Sequence, residues 1–215
     1  MELLVVYFEN LIYNLSIKFK EFLKWGMNKT WLKIQFLLFR EYFLNSPFSI
    51  IKKYANKNDD FIYGETPLLT LDRILNDAGV TSDDVFVDLG CGRGLTLFGA
   101  YLSKNMKCVG IDLIEPFIKK GKKIALELKT DKIEFITNDI TTYDFSTGNV
   151  FFIAGTTFDE ELINKVAKKL SKVKANTKII SLSQKINAEN FKVMWKKKYQ
   201  FSWGDTLVYM QEKQE

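Results

Sequence analysis

The chain has 215 residues, of which 47% are hydrophobic, with only 12 glycines and 3 prolines, so it can form a folded domain with a full core. It contains no histidine and only two cysteines, Cys91 and Cys108. This composition excludes Ser–His–Asp and Cys–His catalysis, histidine-ligated metal sites and a disulfide framework. We therefore expect a protein without a bound metal, whose chemistry runs without imidazole.

The formal net charge of +5 is unevenly distributed. Residues 161–215 carry 12 Lys and Arg against 5 Asp and Glu, whereas residues 61–160 carry 10 against 15. A basic flank can bind nucleic acid, an anionic membrane or an acidic protein, but a lysine-rich solvated surface is the simplest interpretation. The sequence shows no signal peptide and no apolar stretch of about 20 residues, so we expect a cytoplasmic protein.

Residues 1–58 are rich in large apolar side chains separated by single charges, and they predict a helical extension of two or three amphipathic helices. In one of these helices the spacing of the apolar positions predicts a buried face. That face consists of Leu32, Phe36, Phe39 and Phe43. A break at residues 45–47 separates this helix from a short one that begins at Pro47.

The amphipathic pattern of the extension does not identify what its apolar faces cover. A helix that packs on a domain and a helix that lies on lipid have the same periodicity. We expect packing on the domain, because Glu9, Glu21 and Glu41 would weaken attraction to an anionic membrane. Peripheral membrane contact through residues 1–58 stays open as an alternative, as does contact with a partner protein.

Residues 59–215 are predicted to form one α/β domain. A helix is expected over Thr66–Ala78, with Thr66 as its N-cap and Gly79 ending it. Beyond it, strands alternate with helices, which predicts a parallel sheet with helices on both faces. The predicted strands are Val85–Val87, Lys107–Ile111, Ile133–Thr137, Val150–Ile153, Lys178–Leu182, Tyr199–Trp203 and Thr206–Gln211, the last two forming an antiparallel hairpin. The predicted helices are Leu95–Ser103, Pro116–Leu128 and Glu160–Leu170.

A glycine-rich turn follows the first strand, with the sequence VFVDLGCGRG at residues 85–94. Its third glycine comes one residue too early for the dinucleotide fingerprint, which needs glycine at the position of Leu95. The turn, with an acid two residues before its first glycine, resembles motif I of class I (Rossmann-like) S-adenosylmethionine-dependent methyltransferases. The resemblance implies S-adenosylmethionine as the cofactor and a Rossmann-like seven-stranded methyltransferase sheet. Candidate cofactor contacts in the turn are Asp88, Gly90, Cys91, Gly92 and Gly94.

Two further acids are expected at the same edge of the sheet. Asp112 ends the second strand, 22 residues after Gly90, where a carboxylate can accept hydrogen bonds from both ribose hydroxyls. Asp139 follows the third strand and resembles the family's adenine contact, although Asx residues commonly end strands for local reasons. Together with Asp88, these acids predict one crevice at the point where the strand order reverses.

A second motif precedes the domain core, with the sequence FIYGET at residues 61–66. With the segment DVFVDLG at residues 84–90, it resembles the non-SET histone-lysine methyltransferase family, the disruptor-of-telomeric-silencing type. The resemblance implies a loop that folds over the cofactor. In that loop Glu65 would contact the methionine end, and Tyr63 and Thr66 would shape the backbone. The whole chain is also similar to uncharacterised bacterial methyltransferase-like proteins with a helical N-terminal extension.

The acceptor side of the site is less well defined by the sequence. After the fourth strand, residues 153–158 read IAGTTF, which keeps the phenylalanine of the histone family's Asn-Asn-Phe-type loop without its asparagines. Candidate substrate residues are Thr156, Phe158 and Trp203, and Tyr143 is a further candidate to line an aromatic channel. Methyl transfer from a sulfonium needs mainly orientation and desolvation, so no catalytic base is predicted.

Three functions fit these features. The first is a protein N-methyltransferase, with lysine as the favoured acceptor. The second is a methyltransferase for a small molecule or RNA, with the lysine-rich segment Lys165–Lys198 as an electrostatic binding surface. The third is a non-catalytic, membrane-associated module that binds S-adenosylmethionine. The intact glycine turn and the three acids favour the first two.

Overall fold

The computed structural model describes residues 2–54, 64–155 and 158–215, and the side chains from residue 12 onward. The described helices are α1 (Glu2–Trp25), α2 (Lys29–Tyr42), α3 (Pro47–Tyr54), α4 (Leu68–Asp77), α5 (Leu95–Lys104), α6 (Glu115–Leu128) and α7 (Glu160–Leu170). The strands are β1 (Val85–Leu89), β2 (Lys107–Asp112), β3 (Ile133–Thr137), β4 (Val150–Ile153), β5 (Lys178–Leu182), β6 (Phe191–Phe201) and β7 (Gly204–Lys213).

The strands form a single seven-stranded sheet in the order β3-β2-β1-β4-β5-β7-β6. The first five are parallel, while β7 is antiparallel to both β5 and β6. This confirms the predicted Rossmann-like sheet with its C-terminal hairpin and helical N-terminal extension. The strand order reverses between β1 and β4, and a crevice opens at the carboxyl ends of parallel strands at such a point.

Both faces of the sheet are buried because the central strands are apolar at almost every position. Phe86 and Phe152 point to the face that the helices α2 to α6 cover, and they belong to the larger hydrophobic cluster. Their neighbours Val87 and Phe151 point to the opposite face, where α7 and the segment around Phe145 pack. The alternation along β1 and β4 therefore supplies both layers of the core.

The helix before β1 begins one residue later than the sequence predicts. Pro67, with ψ of 146°, is the N-cap of α4, and its own side chain makes no capping hydrogen bond. The assignment of Thr66 as the N-cap is therefore wrong: the residue precedes the cap, and its side chain is buried. The predicted end of the helix is confirmed, since Gly79 has a φ of +60° and its N–H donates to the carbonyl of Asn76.

The terminal hairpin is longer than predicted. Strand β6 begins at Phe191, eight residues before the predicted start, and the turn lies at residues 202–203 instead of 204–205. Three consecutive lysines at 196–198 obscure the apolar alternation in this stretch. They suit an edge strand, because charged side chains there discourage pairing with other chains.

Helix α2 packs through a different face from the one predicted. The predicted face, with Phe36 and Phe39 at its centre, is exposed to solvent. The opposite side of the helix is buried instead, through Trp31, Ile34, Leu37, Leu38 and Tyr42. Because α2 has apolar side chains on both sides, its periodicity predicts the helix but not which side packs.

The extension is attached to the domain by charged as well as apolar contacts. Arg40 of α2 pairs with Glu127 of α6, and Lys24 of α1 pairs with the carboxylate of Asp72 in α4. The N–H of Leu69 donates to the buried carboxylate of Glu21 at 3.3 Å. These contacts tie helices α1 and α2 to α4 and α6. No described helix is both long and apolar enough to cross a membrane.

The orientation of α2 predicts the effect of two alanine substitutions two residues apart. Ile34→Ala should lower the free energy of unfolding by about 2–5 kcal/mol, because it leaves a cavity at a fully buried position. Phe36→Ala should change it by no more than about 0.5 kcal/mol, because the ring is exposed. Urea denaturation measures both values. Greater destabilisation by Phe36→Ala than by Ile34→Ala would mean that α2 packs through the predicted face.

Candidate cofactor site

A cavity of about 470 Å³ opens at the carboxyl ends of β1, β2 and β4, at the reversal of strand order. Most of the candidate site residues from the sequence line it together. They are Glu65, Thr66, Asp88, Gly90, Cys91, Gly92, Asp112, Asp139, Phe158 and Trp203. Tyr63 and Thr156 lie outside the described residues. The fold thus gathers one site from loops that are far apart in the sequence.

The turn after β1 is fastened to the end of β2. The backbone N–H groups of Gly90 and Cys91 both donate to the carbonyl of Ile111, at 2.9 and 3.0 Å. Gly90 has a φ of +88°, and a Cβ there would lie 2.9 Å from the ring of Phe158. A side chain at this position would therefore be strained by the positive φ and would collide with the Phe158 ring.

The carboxylate of Asp112 holds two loops at once. One oxygen accepts from the N–H of Gly92 at 2.8 Å, and the other accepts from the N–H of Ile114 at 2.8 Å. Burial raises the pKa of this carboxyl, and the backbone donors oppose that rise. Each oxygen retains a second lone pair that can accept a hydrogen bond from a ligand.

Asp88 is buried at the end of β1, and its carboxylate is incompletely paired among the described residues. One oxygen accepts a hydrogen bond from the hydroxyl of Thr96, while Oδ1 has no partner. Burial raises the pKa of Asp88 to about 7, the Thr96 hydroxyl lowers it, and the nearby Asp112 raises it. A carboxylate in such surroundings favours a positively charged ligand.

Two members of the glycine turn have roles other than direct polar contact. Gly94 does not line the cavity, so its predicted cofactor contact is not found; a Cβ there would lie 2.4 Å from the ring of Phe135 in the core. Glycine at this position lets α5 pack closely on the sheet. Cys91 lines the cavity, and burial raises the pKa of its thiol well above the usual value, so the group is a neutral apolar wall.

Asp139 lies at the rim, where its carboxylate is engaged locally. One oxygen accepts from the backbone N–H of Thr141 at 2.7 Å and from its hydroxyl at 2.8 Å. The backbone N–H and then the hydroxyl lower the pKa of Asp139. The residue is therefore ionised at neutral pH, and its turn at the end of β3 fixes its position at the cavity mouth.

Arg93 in the glycine turn also lines the cavity, although it was not among the candidate residues predicted from the sequence. Arg93 forms an ion pair with Glu65, and its guanidinium lies 5.7 Å from the ring centre of Tyr42 in α2. Burial raises the pKa of the Tyr42 hydroxyl, so the ring is a neutral cation–π partner. The sequence offers one indication of this role: Arg93 is the single charged residue in the glycine turn at residues 89–94.

The loop that carries Glu65 is held by the terminal hairpin. The hydroxyl of Ser202 donates to the carbonyl of Glu65 at 3.1 Å. A Cβ at Gly64 would lie 2.4 Å from the ring of Trp203, so glycine is needed for the loop to pass over that ring. Trp203 in turn stacks on Phe201 and donates its indole N–H to the Thr206 hydroxyl at 2.8 Å. The hairpin thus positions the loop over the cavity.

The mouth of the cavity is apolar. Phe158 lies over Gly90 on one side, and Trp203 lies against the loop on the other. Further apolar side chains at the cavity are Ile51, Tyr54, Leu113 and Leu162. Tyr143 is not among them: its ring packs against Phe145 in the core, so the structure does not bring this candidate to the cavity. Its hydroxyl pairs with that of Thr147 instead.

These residues suit S-adenosylmethionine. An unpaired buried carboxylate oxygen at Asp88 matches a cationic amino-acid end, and Gly90 and Gly92 line the cavity with backbone that carries no side chain. Asp112 lies where a ribose would present its hydroxyls, and the turn supplies no helix N-terminus with three spaced glycines for a pyrophosphate. The fold and the site together define a class I S-adenosylmethionine-dependent methyltransferase.

Comparison with known proteins identifies the family within this class. Residues 46–203 match the profile of the family described as "Histone methylation protein DOT1", so the chain belongs to that family. It is 29% identical over 150 residues to the H3 lysine-79 specific histone-lysine N-methyltransferase of Dictyostelium discoideum. That match covers 62% of this chain and only 8% of the relative.

Solved methyltransferase structures have the same fold. An RNA methyltransferase from Salinibacter ruber, in complex with S-adenosyl-L-homocysteine, superimposes with a TM-score of 0.59 at 26% identity over 70% of this chain and 95% of that chain. A putative methyltransferase from Escherichia coli superimposes with a TM-score of 0.58 at 14% identity, over 68% of this chain and 88% of that one. The second similarity concerns the fold alone.

Removal of the Asp112 carboxylate should weaken cofactor binding. Asp112→Ala loses the acceptor for ligand hydroxyls and releases the N–H groups of Gly92 and Ile114, so we expect affinity for S-adenosylhomocysteine to fall by about 1–3 kcal/mol. Isothermal titration calorimetry measures this, with the exposed Asp131→Ala as the control. Tighter binding of a nicotinamide dinucleotide, or no binding of S-adenosylhomocysteine to the wild type, would contradict the assignment.

A second variant tests the loop. Glu65→Gln keeps the side chain's shape and removes its charge, so cofactor affinity should fall roughly tenfold if the carboxylate contacts the ligand. Stability should change by no more than about 1 kcal/mol, because the pair with Arg93 is partly exposed. Calorimetry and thermal denaturation measure the two effects. Normal binding by Glu65→Gln would limit the role of Glu65 to its pairing with Arg93.

Proposed function

We propose that the protein transfers a methyl group from S-adenosylmethionine to the side-chain amine of a lysine in a protein. The match of residues 46–203 to the histone methylation family carries this proposal, because it includes the loop at 64–66, the glycine turn, and β6 with the hairpin turn at the cavity. The lysine specificity of the Dictyostelium relative points the same way.

The chemistry asks little of the protein's own side chains. The cofactor supplies a methyl group already activated on a sulfonium, so the protein contributes orientation and exclusion of water. Asp88 and Asp112, at the ends of β1 and β2, would hold the amino-acid end and the ribose of the cofactor. Glu65, fixed by Arg93 and Ser202, places a carboxylate over the cavity and closes it on the side of the hairpin.

The acceptor must reach the methyl group as a neutral amine. The apolar mouth formed by Phe158 and Trp203 supports this, since desolvation lowers the pKa of a lysine ammonium and favours the neutral form. An aromatic rim also accommodates the aliphatic stem of a lysine side chain. Trp203 therefore has two functions in the proposal: it supports the loop at Gly64 and contributes a wall to the acceptor entrance.

RNA is the second candidate acceptor, favoured by the similarity to the Salinibacter RNA methyltransferase. The lysine-rich segment Lys165–Lys198 was the expected binding surface for it. Its densest part, the lysines of β6, lies on the sheet edge farthest from β3, and β5 and β7 separate it from β4 at the cavity. The match to the histone methylation family favours a protein acceptor over RNA.

Methyl labelling of a whole lysate separates these candidates. We expect label from S-adenosylmethionine to enter the protein fraction, and mass spectrometry to locate it on lysine. Asp112→Ala should lose the incorporation as the binding-deficient control, whereas Asp131→Ala should keep it. Label in the RNA fraction would transfer the assignment to RNA. Label in small molecules alone would contradict both, and no incorporation despite tight cofactor binding would indicate a non-catalytic module.

A further inference from the structure

The outer side of α1 carries a continuous apolar stripe that is open to solvent. Five large side chains at helical spacing are each more than half exposed: Ile12, Leu15, Phe19, Phe22 and Leu23. The opposite side of the helix is the one that packs on the domain, through Ile17 and Trp25. Packing on the domain therefore buries one side of α1 and leaves this apolar stripe exposed.

Helix α2 repeats this arrangement beside α1. Its exposed stripe consists of Leu32, Phe36, Phe39 and Phe43, between 47% and 68% exposed. The rings of Phe22 and Trp31 meet at 6.3 Å between centroids, so the two helices are neighbours. We call these two stripes the outer apolar surface. Exposed apolar surface of this extent marks a binding site for a membrane or a protein.

The charges around this surface have one sign. Residues 12–54 contain eight Lys and Arg and two acids. Both acids are withdrawn from solvent: the side chain of Glu21 is fully buried and paired with Lys18, and that of Glu41 is 9% exposed and paired with Arg40 and Lys123. Glu21 and Glu41 therefore give little reason to expect weaker attraction to an anionic membrane, and the side chain of Glu9, the third acid on which that expectation rested, lies outside the described residues.

The basic residues lie along the margin of the stripe. On α2, Lys29, Lys33 and Arg40 follow one another at spacings of four and seven, which places them in a row on one side of the helix. Lys33 and Arg40 are immediate helical neighbours of Phe36, three and four residues away. All three are exposed. Arg40 is paired with Glu41 and Glu127, whereas the aliphatic stems of Lys29 and Lys33 can follow the apolar surface while their charged ends reach outward.

We propose that the outer apolar surface binds the face of an anionic lipid bilayer. Aliphatic and aromatic side chains in a stripe, bordered by cations with no exposed acid among residues 12–54, fit the boundary between acyl chains and anionic headgroups. A second copy fits poorly, because pairing the same surface on two chains would bring like charges together. A nucleic acid would leave the aliphatic part of both stripes in water. This inference is independent of the methyl acceptor.

The test is co-sedimentation of the full chain with vesicles. We expect binding to vesicles of phosphatidylcholine with roughly a quarter phosphatidylglycerol, much weaker binding to phosphatidylcholine alone, and partial release at high salt. Phe36→Ser with Phe39→Ser should lower the affinity at least roughly tenfold by removing the inserted rings. Lys29→Glu with Lys33→Glu should lower binding to anionic vesicles by a similar factor.

Matched controls keep the result interpretable. Lys172→Glu with Lys174→Glu makes the same charge change on the loop before β5. This loop lies at the amino end of β5, whereas the cavity lies at the carboxyl ends of the parallel strands, so vesicle binding should be unchanged. Circular dichroism and S-adenosylhomocysteine binding confirm that every variant is folded. Vesicle binding unaffected by the phenylalanine pair would overturn the proposal. So would a dimer that the same pair dissociates, without vesicle binding, because a second copy would then cover the surface.

Discussion

The carboxylate of Asp112 is the contact on which the geometry of the site depends. It accepts the N–H of Gly92 from the turn after β1 and the N–H of Ile114 from the loop after β2. Those two segments come from neighbouring parallel strands whose register brings Leu89 opposite Ile111. Without an acceptor between them, two partly buried amides would lose their partner, at up to about 1–3 kcal/mol each. One side chain thus stabilises the loops and faces the ligand.

Much of the fold and the centre of the site could be predicted from the sequence, because both follow from local patterns. Buried strands appear as short apolar runs, and the acids and glycines that follow them must meet where parallel strands end. The side of α2 that packs could not be predicted, since apolar residues such as Ile34 and Phe36 occur on both sides of the helix. Arg93 was missed for a related reason: its partners Glu65 and Tyr42 come from segments distant in sequence, and only tertiary packing brings them together.

Asp88 shows how the site is prepared for a cation at some expense of stability. Its pKa in the folded protein, about 7, lies above the ordinary value of 3.8, because burial disfavours the charged form. The folded state therefore holds this proton more strongly than the unfolded state does. The contribution of this group to stability falls as pH rises from about 4 to about 7, and remains lost above that range. A positively charged ligand beside Oδ1 reverses the preference and stabilises the ionised carboxylate.

The N-terminal helices contribute to the site as well as to the outer apolar surface. Tyr42 comes from the buried side of α2 and lies against Arg93, which holds Glu65 at the cavity. Ile51 and Tyr54 of α3 line the same cavity. The other side of α2 carries the exposed phenylalanines, so one helix contacts both the cofactor loop and the proposed lipid-binding surface. The described contacts thus place α2 between the proposed lipid-binding surface and the glycine turn, each of which it contacts through an opposite side.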